Sequence, residues 1–526
     1  MMQSVPRADH VVSFLDIGTN SVRMLVVRLN PNFSYTVLSQ QKEVVRLGEN
    51  EFIDHTLRRD AMDRTVHVCR KFAELSRTYG ADEIIVNNVI AVATSAAREA
   101  KNQAVLVERL HDEAGIDMGI ISGVEEARLV YLGVSSAVEL TDRTALFVDL
   151  GGGSTELAIG TQENYSYLDS LKLGAIRITG MYVEEGDREG PVDDSVYNKM
   201  RKHVRGLLVH SAHSISLSKV DMAIGSSGTV MNLADIASRT CGGKVNSLKL
   251  AHLKKVSAML RSLPLAERRK VPGLNPERAD IIVGGAAILE TIMEELKIDE
   301  LVVSDRGVRD GLLVDYLSKI EGYPHAGRMS VRETSVLQLG RSCNIDEPHA
   351  ETVVRLALAL FDSAKQAGLH SLGDKEREVL KYAAYLHDVG DFISFTNHQA
   401  HSYYIVRNAD LLGFDEREIA IMANLTRYHR KKVPKKKDPE MEGLDLRAQQ
   451  VIITLSAFLR LAEELDRSHT GLMRSVALKK EGKDTVLLEG AAAGDASLEI
   501  WGVESDAKAF KRAFDRDLRV DIIRVP

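Results

Sequence analysis

The chain has few cysteines, no long apolar run and no excess of one charge, and each absence excludes a class of protein. Its three cysteines, Cys69, Cys241 and Cys343, are far apart, which gives neither a disulfide framework nor a zinc knuckle. No run of about 18 apolar residues occurs, and the first ten residues lack the apolar core of a signal peptide. We therefore expect a reducing, cytoplasmic location.

Charge is nearly balanced over the 526 residues, with 68 Lys and Arg against 75 Asp and Glu and a formal net charge of −7. This balance argues against a general nucleic-acid binder, so a polyanionic ligand would need a local basic surface. The length predicts about three to four domains, each long enough for its own core.

What the sequence does contain is one motif that occurs twice, at 14–21 (FLDIGTNS) and, without a gap, at 147–154 (FVDLGGGS). Each copy is an apolar strand that ends in an aspartate and small or hydroxyl residues, before a second apolar strand. The glycines permit a tight turn with φ > 0 and close approach of a ligand. Unpaired N–H groups and hydroxyls in such turns bind phosphate oxygens, and an aspartate can hold a divalent cation. We predict a clamp of two turns that closes on phosphate and metal.

Two ordinary β-hairpins are the alternative, because Asp-Gly is a common hairpin turn. That alternative does not explain the segment 149–156 (DLGGGSTE), in which three successive glycines are costly to order. Glu156 follows Ser154 by two residues, where a strand would point both side chains to the same side.

These segments resemble the two phosphate-binding hairpins of the actin, heat-shock chaperone and sugar-kinase superfamily, in particular its exopolyphosphatase / guanosine-pentaphosphate phosphohydrolase family. Three more segments match that family in order and spacing: 93–98 (ATSAAR), 121–128 (ISGVEEAR) and 225–229 (GSSGT). The resemblance extends from about Phe14 to Leu313 and continues more loosely beyond. It implies an α/β fold of duplicated actin-like (ribonuclease H-like) domains with a cleft between them, followed by an all-α HD-like domain and a small α+β tail.

Alternating strand and helix signals in the first half predict an α/β sheet covered by helices. We expect strands at 83–93, 146–150, 222–224 and 301–304, and helices at 104–114, 125–133, 279–296 and 310–319. The segment 321–324 (EGYP) breaks this pattern. Helices are expected next at 351–368, 376–386, 398–411, 415–428 and 448–466, and then strands at 476–479, 485–489 and 496–501 around a helix at 505–514. The predicted domains are residues 1–140 and 141–322 (actin-like I and II), 323–470 (HD-like) and 471–526 (α+β module).

Glu125 and Glu126 lie at the start of a predicted helix. Acidic residues suit any helix N-terminus, but attack of water on a terminal phosphoryl group also needs a carboxylate base. The resemblance implies that the base is Glu126, and that Glu125 faces away or supports the site. For Arg98, the resemblance favours a bidentate phosphate contact that offsets transition-state charge over a solvated position at a helix start.

The resemblance also implies that Asp149 and Glu156 are the carboxylates that hold Mg²⁺ (or Mn²⁺). In the first copy of the motif, Arg23 occupies the position of Glu156. It is either a cation on the opposite side of the clamp or a surface strand residue. Arg309, near the start of a later helix, is likewise either a phosphate contact or a surface residue.

The predicted phosphate-binding residues come from the two hairpins and the segment 225–229, although Ser-Gly turns that open helices are often only caps. They are Asp16, Gly18, Thr19, Asn20, Ser21, Arg23, Gly151, Gly152, Gly153, Ser154, Thr155, Gly225, Ser226, Ser227, Gly228 and Thr229.

A second pattern lies in the C-terminal half. His349, His387, Asp388 and Asp466 resemble the His…His-Asp…Asp pattern of HD-type metal phosphohydrolases, which implies a second metal site. Imidazole and carboxylate ligands suit a transition metal or hydrated Mg²⁺; His398 and His401 are further candidates. The alternative is a retained fold without chemistry.

A basic run at 427–437 (RYHRKKVPKKK) is either a solvated loop or a docking surface for a long polyanion, which would bind by counterion release. The docking residues would be Arg430, Lys431, Lys432, Lys435, Lys436 and Lys437.

The expected reaction is hydrolysis of a terminal phosphoanhydride with release of phosphate. By resemblance, the substrate is inorganic polyphosphate, guanosine pentaphosphate or both, and the enzyme is a homodimer that binds neither membrane nor specific nucleic acid. Three alternatives stay open. A sugar or acetate kinase would need an acceptor pocket and an adenosine site. A nucleotide-gated chaperone or filament protein would turn over ATP slowly, and an alarmone sensor would bind without hydrolysis.

Overall fold

A computed structural model describes residues 10–49, 51–80, 90–320 and 330–525. The chain divides into two compact units, Met1–Val331 and Arg332–Pro526. The segment 321–324, which the sequence marks as a boundary, lies outside the described residues. The finer division into four domains stays a prediction.

The first unit contains two sheets of one design. Their strands are β1 (His10–Ile17), β2 (Ser21–Leu29), β3 (Tyr35–Val44), β4 (Ala91–Ala93) and β5 (Gly119–Ile120), then β6 (Ala145–Leu150), β7 (Thr155–Gly160), β8 (Tyr165–Leu171), β9 (Met222–Ser226), β10 (Ser247–Lys249) and β11 (Glu300–Val303). The strand orders are β3-β2-β1-β4-β5 and β8-β7-β6-β9-β11-β10. In each sheet an antiparallel three-stranded meander is extended by two parallel strands. In the second sheet, β10 adds an antiparallel strand at the edge. The predicted duplication is therefore confirmed in the fold.

Helices cover these sheets, as the alternating signals predicted. They are α1 (Glu51–Asp54), α2 (Arg59–Thr78), α3 (Ser95–Glu99), α4 (Gln103–Arg109), α5 (Gly123–Ser135), α6 (Ala175–Tyr182), α7 (Asp194–Ser216), α8 (Ser227–Cys241), α9 (Leu250–Ser262), α10 (Leu265–Arg268), α11 (Ile282–Glu295) and α12 (Val308–Ser318). Of the strand expected at 83–93, only Ala91–Ala93 is a strand, and residues 81–89 lie outside the described part of the chain.

The strands of the two hairpins are buried on both faces, which is why they appear in the sequence as continuous apolar runs. In β1, Leu15 and Ile17 join one core and Val12 and Phe14 another, on the opposite face. The second core also contains Phe147 of β6. One apolar core therefore joins the two sheets and fixes the ends of β1 and β6 relative to each other.

Two glycines bring helices α5 and α12 into backbone contact. A Cβ atom on Gly311 would overlap the carbonyl of Leu129, and one on Gly133 would overlap the carbonyl of Gly307. Neither obstacle is a flexible side chain that could move aside. Since Glu126 lies in the first turn of α5, this contact positions the predicted base.

The second unit is helical and ends in a small sheet. Its elements are α13 (Val331–Ser342), α14 (Glu347–Gln366), α15 (Asp374–Tyr385), α16 (His398–Asn408), α17 (Glu416–Tyr428), α18 (Leu446–Glu464), β12 (Met473–Glu481), β13 (Thr485–Ala492), α19 (Ser497–Phe514) and β14 (Asp517–Arg524). The sheet has the order β12-β13-β14, and β13 is parallel to β14.

The strand predicted at 496–501 is wrong, because these residues begin α19. Leu498 and Trp501, three positions apart, are 46% and 56% exposed, whereas Glu499 and Val503 are buried. That spacing follows the helical period, which a window of six residues is too short to reveal. Strand β14 was not predicted.

Within the described parts of the chain, no helix combines the length and the apolar character needed to cross a membrane.

We predict that Gly311→Ala destabilises the protein by about 2 kcal/mol or more, because the added methyl group meets backbone atoms. Gly206→Ala is the matched control. Gly206 lies in α7 with nothing near its Cβ position, so alanine should stabilise that helix by roughly 0.5–1 kcal/mol. Urea unfolding of both variants measures the difference. Equal midpoints would mean that the α5–α12 contact is not tight.

Candidate active site

The two hairpins have the same local geometry. The Gly18 N–H donates to the Ser21 carbonyl at 3.0 Å, and the Gly151 N–H donates to the Ser154 carbonyl at 3.0 Å. In the strand registers Asp16 pairs with Arg23, and Asp149 pairs with Glu156. Arg23 and Glu156 are therefore structural equivalents, as the sequence alignment of the two copies predicted.

The carbonyls of the second turn accept hydrogen bonds from helix α6. The Gly151 carbonyl accepts from Ala175 N–H at 3.1 Å, and the Gly152 carbonyl accepts from Ile176 N–H at 2.9 Å, both at the start of α6. In a trans peptide the N–H points opposite to the carbonyl, so the N–H groups of Gly152 and Gly153 point away from α6. Among the described residues no acceptor is bonded to either group, which leaves both for a ligand.

The first turn repeats this arrangement with a different partner. The Thr19 carbonyl accepts from Gly48 N–H at 3.0 Å, and the Asn20 carbonyl accepts from Val45 and Arg46 N–H at 3.0 Å. The Asn20 N–H, which shares a peptide with the Thr19 carbonyl, therefore points away from this segment. The Asn20 side-chain amide is buried, and neither its nitrogen nor its oxygen has a partner in the described structure.

The glycines of the second turn are required by packing. The prediction of φ > 0 is wrong here, since Gly18, Gly151, Gly152 and Gly153 all lie outside the left-handed region. A Cβ on Gly153 would lie 2.8 Å from Thr19 Oγ1, and a Cβ on Gly152 would lie 3.2 Å from Thr19 Cβ. The two turns thus touch, and any side chain at these positions would push them apart.

Together the turns form a cleft in the first unit with a water-accessible volume of about 80 Å³. The residues that line the cleft are Asp16, Gly18, Thr19, Asn20, Ser21, Arg23, Thr94, Glu126, Asp149, Leu150, Gly151, Gly152, Gly153, Ser154, Ser227, Gly228, Arg278, Gly307 and Val308.

Buried carboxylates dominate one part of the cleft: Asp16, Glu126 and Asp149 line it, and Glu156, the cross-strand neighbour of Asp149, lies behind the lining. Burial raises the pKa of Glu126 to about 7, and the nearby Asp16 and Asp149 charges act in the same direction. Burial likewise raises the pKa of Asp16 to about 6 and that of Asp149 above its ordinary value. The pKa of Glu156 is raised well above its usual range by burial and by the charges of Glu126 and Asp149. Four like charges thus lie close enough to oppose one another's ionisation.

Glu126 and Glu125 have different partners. Arg98, at the end of α3, donates to Glu126 Oε2 at 2.9 Å and to the Ile121 carbonyl at 3.1 Å. Glu125 instead makes a bidentate pair with Arg128, at 2.7 and 2.8 Å, and does not line the cleft. Only the second glutamate of the pair therefore faces the cleft.

The segment 225–229 divides into cleft residues and supporting residues. Ser227 and Gly228 line the cleft, and Ser227 has a strained φ of 88°. Ser226 Oγ donates to Asp149 Oδ1 at 2.6 Å and so orients that carboxylate. Gly225 and Thr229 lie behind the cleft, as does Thr155, whose hydroxyl donates to the Leu173 carbonyl at 2.6 Å.

Arg23 and Arg278 line the cleft, and Lys42, the cross-strand neighbour of Arg23, lies near both with part of its side chain in solvent. Arg278 is 7% exposed and lies against Gly228; burial, with the charge of Arg23, lowers its pKa to about 10. Burial and the charges of Arg278 and Arg23 lower the pKa of Lys42 to about 8. Among the described carboxylates, none forms an ion pair with Arg23 or Arg278, so their charge is available to an anion. Arg278 and Lys42 were not predicted from the sequence, because neither lies in a recognisable motif. Arg309, whose alternatives the sequence left open, pairs with Asp310 at 3.7 Å.

The carboxylate part of the cleft fits a divalent cation. Glu156 accepts a hydrogen bond from Ser170 Oγ at 2.8 Å through Oε1, but its buried Oε2 has no partner among the described residues. Asp149 is its cross-strand neighbour. An all-oxygen set of this kind suits Mg²⁺ or Mn²⁺, which complete their coordination with water and phosphate oxygens.

In the second unit, the structure brings His349, His387 and Asp388 together with Glu463. Asp466 lies behind His349, where its Oδ2 is 2.8 Å from His349 Nδ1. His398 forms a second group of facing ligand atoms with Asp388 and His429. His401 belongs to neither group.

The basic run forms a loop after α17. Lys435, Lys436 and Lys437 are exposed, and no carboxylate of the described chain pairs with them. Lys432 is bound to Asp438 at 3.1 Å, and Lys431 donates to Asn397 Oδ1 at 3.0 Å. The loop therefore has a free part and a tethered part, with Arg430 half-buried at its start.

Comparison with known proteins agrees with this geometry. The sequence pattern of the Ppx/GppA phosphatase family matches residues 25–320, and that of Ppx/GppA phosphatase domain III matches residues 331–492. An exopolyphosphatase from Cytophaga hutchinsonii has a similar structure, with 25% identity and a TM-score of 0.54, over 59% of this chain and 99% of that chain. An exopolyphosphatase-like protein has 27% identity and a TM-score of 0.52, over 59% of this chain and 98% of that chain. Since the first family match alone spans more than half of the sequence and includes Glu126 and the second hairpin, this chain belongs to the Ppx/GppA phosphatase family.

Proposed function

We propose that this phosphohydrolase removes the terminal phosphate of inorganic polyphosphate, guanosine pentaphosphate or both, with water as the acceptor. The observation that carries the proposal is Glu126, a buried carboxylate held by Arg98 between two turns with free N–H groups.

Glu126 has the properties of a general base. Its pKa of about 7 lies near neutral pH, where a carboxylate both exists in the ionised form and accepts a proton from water effectively. Arg98 fixes the orientation of the carboxylate through one guanidinium nitrogen. Its positive charge, next to the base, is also available to the charge that develops on the phosphoryl oxygens.

The turns and the basic residues would bind the phosphates. The N–H groups of Asn20, Gly152 and Gly153 are placed for phosphate oxygens, and the unpartnered Asn20 amide adds a donor. Arg23, Lys42 and Arg278 offset the charge of the phosphates that follow the terminal one. We assign the terminal phosphate to the carboxylate part of the cleft, because the base lies there.

Asp149 and Glu156 would hold Mg²⁺ (or Mn²⁺), with Ser226 and Ser170 orienting them. When bound, the cation neutralises phosphate oxygens and the buried carboxylates together. Without a cation, four buried carboxylates and a polyanion would repel each other.

The proposal includes both substrates. Both present the same terminal phosphoanhydride to the same turns, and the two similar structures described above are named as exopolyphosphatase and exopolyphosphatase-like.

A homodimer, implied by the family resemblance, is the proposed oligomeric state.

Changing Glu126 to Gln should lower kcat by roughly 10²–10⁴-fold, because the shape is kept and the base is lost. Phosphate release under saturating substrate measures this, with KM as the indicator of binding. Glu125→Gln is the matched control, since Glu125 pairs with Arg128 outside the cleft, and its effect should be much smaller. Equal losses of kcat in the two variants would mean that Glu126 is not the base.

Removal of divalent cations should abolish turnover. Asp149→Asn and Glu156→Gln should each raise the Mg²⁺ concentration needed for half-maximal activity, because each removes one oxygen charge from the proposed site. Titration of Mg²⁺ into chelator-treated protein measures this. Full activity in excess chelator would contradict the assignment of the cation.

The exposed part of the basic loop supplies a further test. Lys435, Lys436 and Lys437 changed to Gln should weaken binding of long polyphosphate and lower its log–log salt slope by about 2, at roughly 0.7 per charge. Hydrolysis of guanosine pentaphosphate should be unchanged, because its few phosphates are bound in the cleft.

The control for that variant removes the same charge elsewhere, at the exposed residues Lys375, Lys480 and Lys483. If the two triple variants bind long polyphosphate equally well, the run is a solvated loop without a docking role.

A further inference from the structure

The second unit contains a buried cluster of ionisable side chains that the proposed hydrolysis does not use. It consists of His349, His387, Asp388, His398, His429 and Glu463, and we call it the histidine cluster. All four imidazoles are at most 4% exposed. They come from α14, the turn after α15, α16 and the turn after α17, while Glu463 lies in α18.

All four imidazoles have the same orientation. The Nδ1 atoms of His387, His398 and His429 lie 2.7, 3.0 and 2.8 Å from the carbonyls of Ala384, Phe395 and Thr426. A carbonyl can only accept, so each of these Nδ1 atoms carries a proton, and the Nε2 atom of each ring faces the cluster. His349 has the same arrangement with Asp466 at Nδ1. Metal-binding histidines are oriented in this way.

The first group of facing atoms contains His349, His387, Asp388 and Glu463. His387 Nε2 lies 2.9 Å from Glu463 Oε2 and 3.4 Å from Asp388 Oδ2. Although it is fully buried, this nitrogen has no hydrogen-bond partner in the described structure. His349 Nε2 lies 3.2 Å from the same Glu463 oxygen. The ligand atoms of this group therefore face a common point, and all lie within 4.8 Å of one another.

The second group contains His398, His429 and the other oxygen of Asp388. The two Nε2 atoms lie 3.1 Å apart, and both face Asp388 Oδ1, at 3.4 and 3.3 Å. Two imidazole nitrogens and a carboxylate oxygen at these distances repel one another unless a proton or a metal cation lies among them. Asp388 Oδ1 is buried and has no hydrogen-bond partner in the described part of the chain.

We propose that the histidine cluster is a two-cation centre in which Asp388 bridges a transition metal held by His349, His387 and Glu463 and a second one held by His398 and His429. Four imidazoles with two carboxylates favour ions such as Fe²⁺, Zn²⁺ or Co²⁺ over Mg²⁺. Asp466 is a positioning residue, because its carboxylate engages Nδ1 of His349 rather than the facing atoms. A cavity of about 490 Å³, lined by His349, His387 and Asp388, opens onto the first group.

Cobalt binding to the full-length chain tests this centre. The chelator-treated protein is loaded with Co²⁺ in excess Mg²⁺, so that Mg²⁺ occupies the all-oxygen cleft, and free metal is removed by gel filtration. Elemental analysis should find about two cobalt ions per chain. Co²⁺ should also raise the melting temperature of the chain, since bound metal stabilises the folded state.

Variants separate the two positions. His429→Gln should retain about one cobalt ion, and Glu463→Gln should lose the ion of the first group. Asp466→Asn should keep both but bind one roughly 10–100-fold more weakly. His401→Gln is the matched control on α16, outside both groups, and should retain both ions. Asp149→Asn, in the first unit, should retain both as well.

One cobalt ion or none in the unmodified chain would overturn the proposal, and shared protons would then satisfy the cluster. An unchanged cobalt content in His429→Gln would also overturn it. Far-UV circular dichroism of each variant identifies loss of metal that results from unfolding, and the result for the unmodified chain does not depend on any variant.

Discussion

Four carboxylates buried beside two turns that touch each other are the constraint on which the first unit depends. Burial raises the pKa of Asp16, Glu126, Asp149 and Glu156, and neighbouring carboxylate charges add to this for Asp16, Glu126 and Glu156. Either protonation or a bound cation relieves such a concentration of charge. The rest of the unit holds these groups together: a core shared by β1 and β6, glycines where the turns meet, and the backbone contact of α5 with α12.

The two hairpins are alike in backbone hydrogen bonding and differ in charge. Both hairpins have the same turn hydrogen bond and register, yet Arg23 occupies in one the place of Glu156 in the other. One copy therefore contributes to a carboxylate site and the other to a group of basic residues with Lys42 and Arg278. A polyphosphate substrate needs both, because its terminal group must meet a base and a cation while its remaining charge is offset.

Local pattern predicted much of this. The hairpins and most helices follow from apolar periodicity and from the repeated motif, which act over a few residues. The assignment of Glu126 came from the family resemblance. Arg278 was missed because its turn lies about 50 residues beyond Gly228 in the sequence and is joined to it only by packing. The glycine conformations were predicted wrongly because the sequence does not show that Thr19 lies against Gly153.

The second unit shows the same limit. The resemblance to HD-type phosphohydrolases predicted His349, His387 and Asp388 together with Asp466, and the first three lie together in the structure. The sequence does not distinguish Glu463 from Asp466, because both lie near the end of α18. Only three-dimensional packing decides that Glu463 faces the Nε2 atom of His349 and Asp466 its Nδ1 atom.

The central claim is that Glu126 directs water to a terminal phosphate, and the origin of the oxygen in the product tests it most directly. Turnover of guanosine pentaphosphate or polyphosphate in water labelled with heavy oxygen should give inorganic phosphate with one solvent oxygen, and no phosphorylated acceptor. Phosphate without solvent oxygen, or turnover only when an alcohol or carboxylate acceptor is added, would show that the cleft transfers phosphoryl groups and would contradict the account.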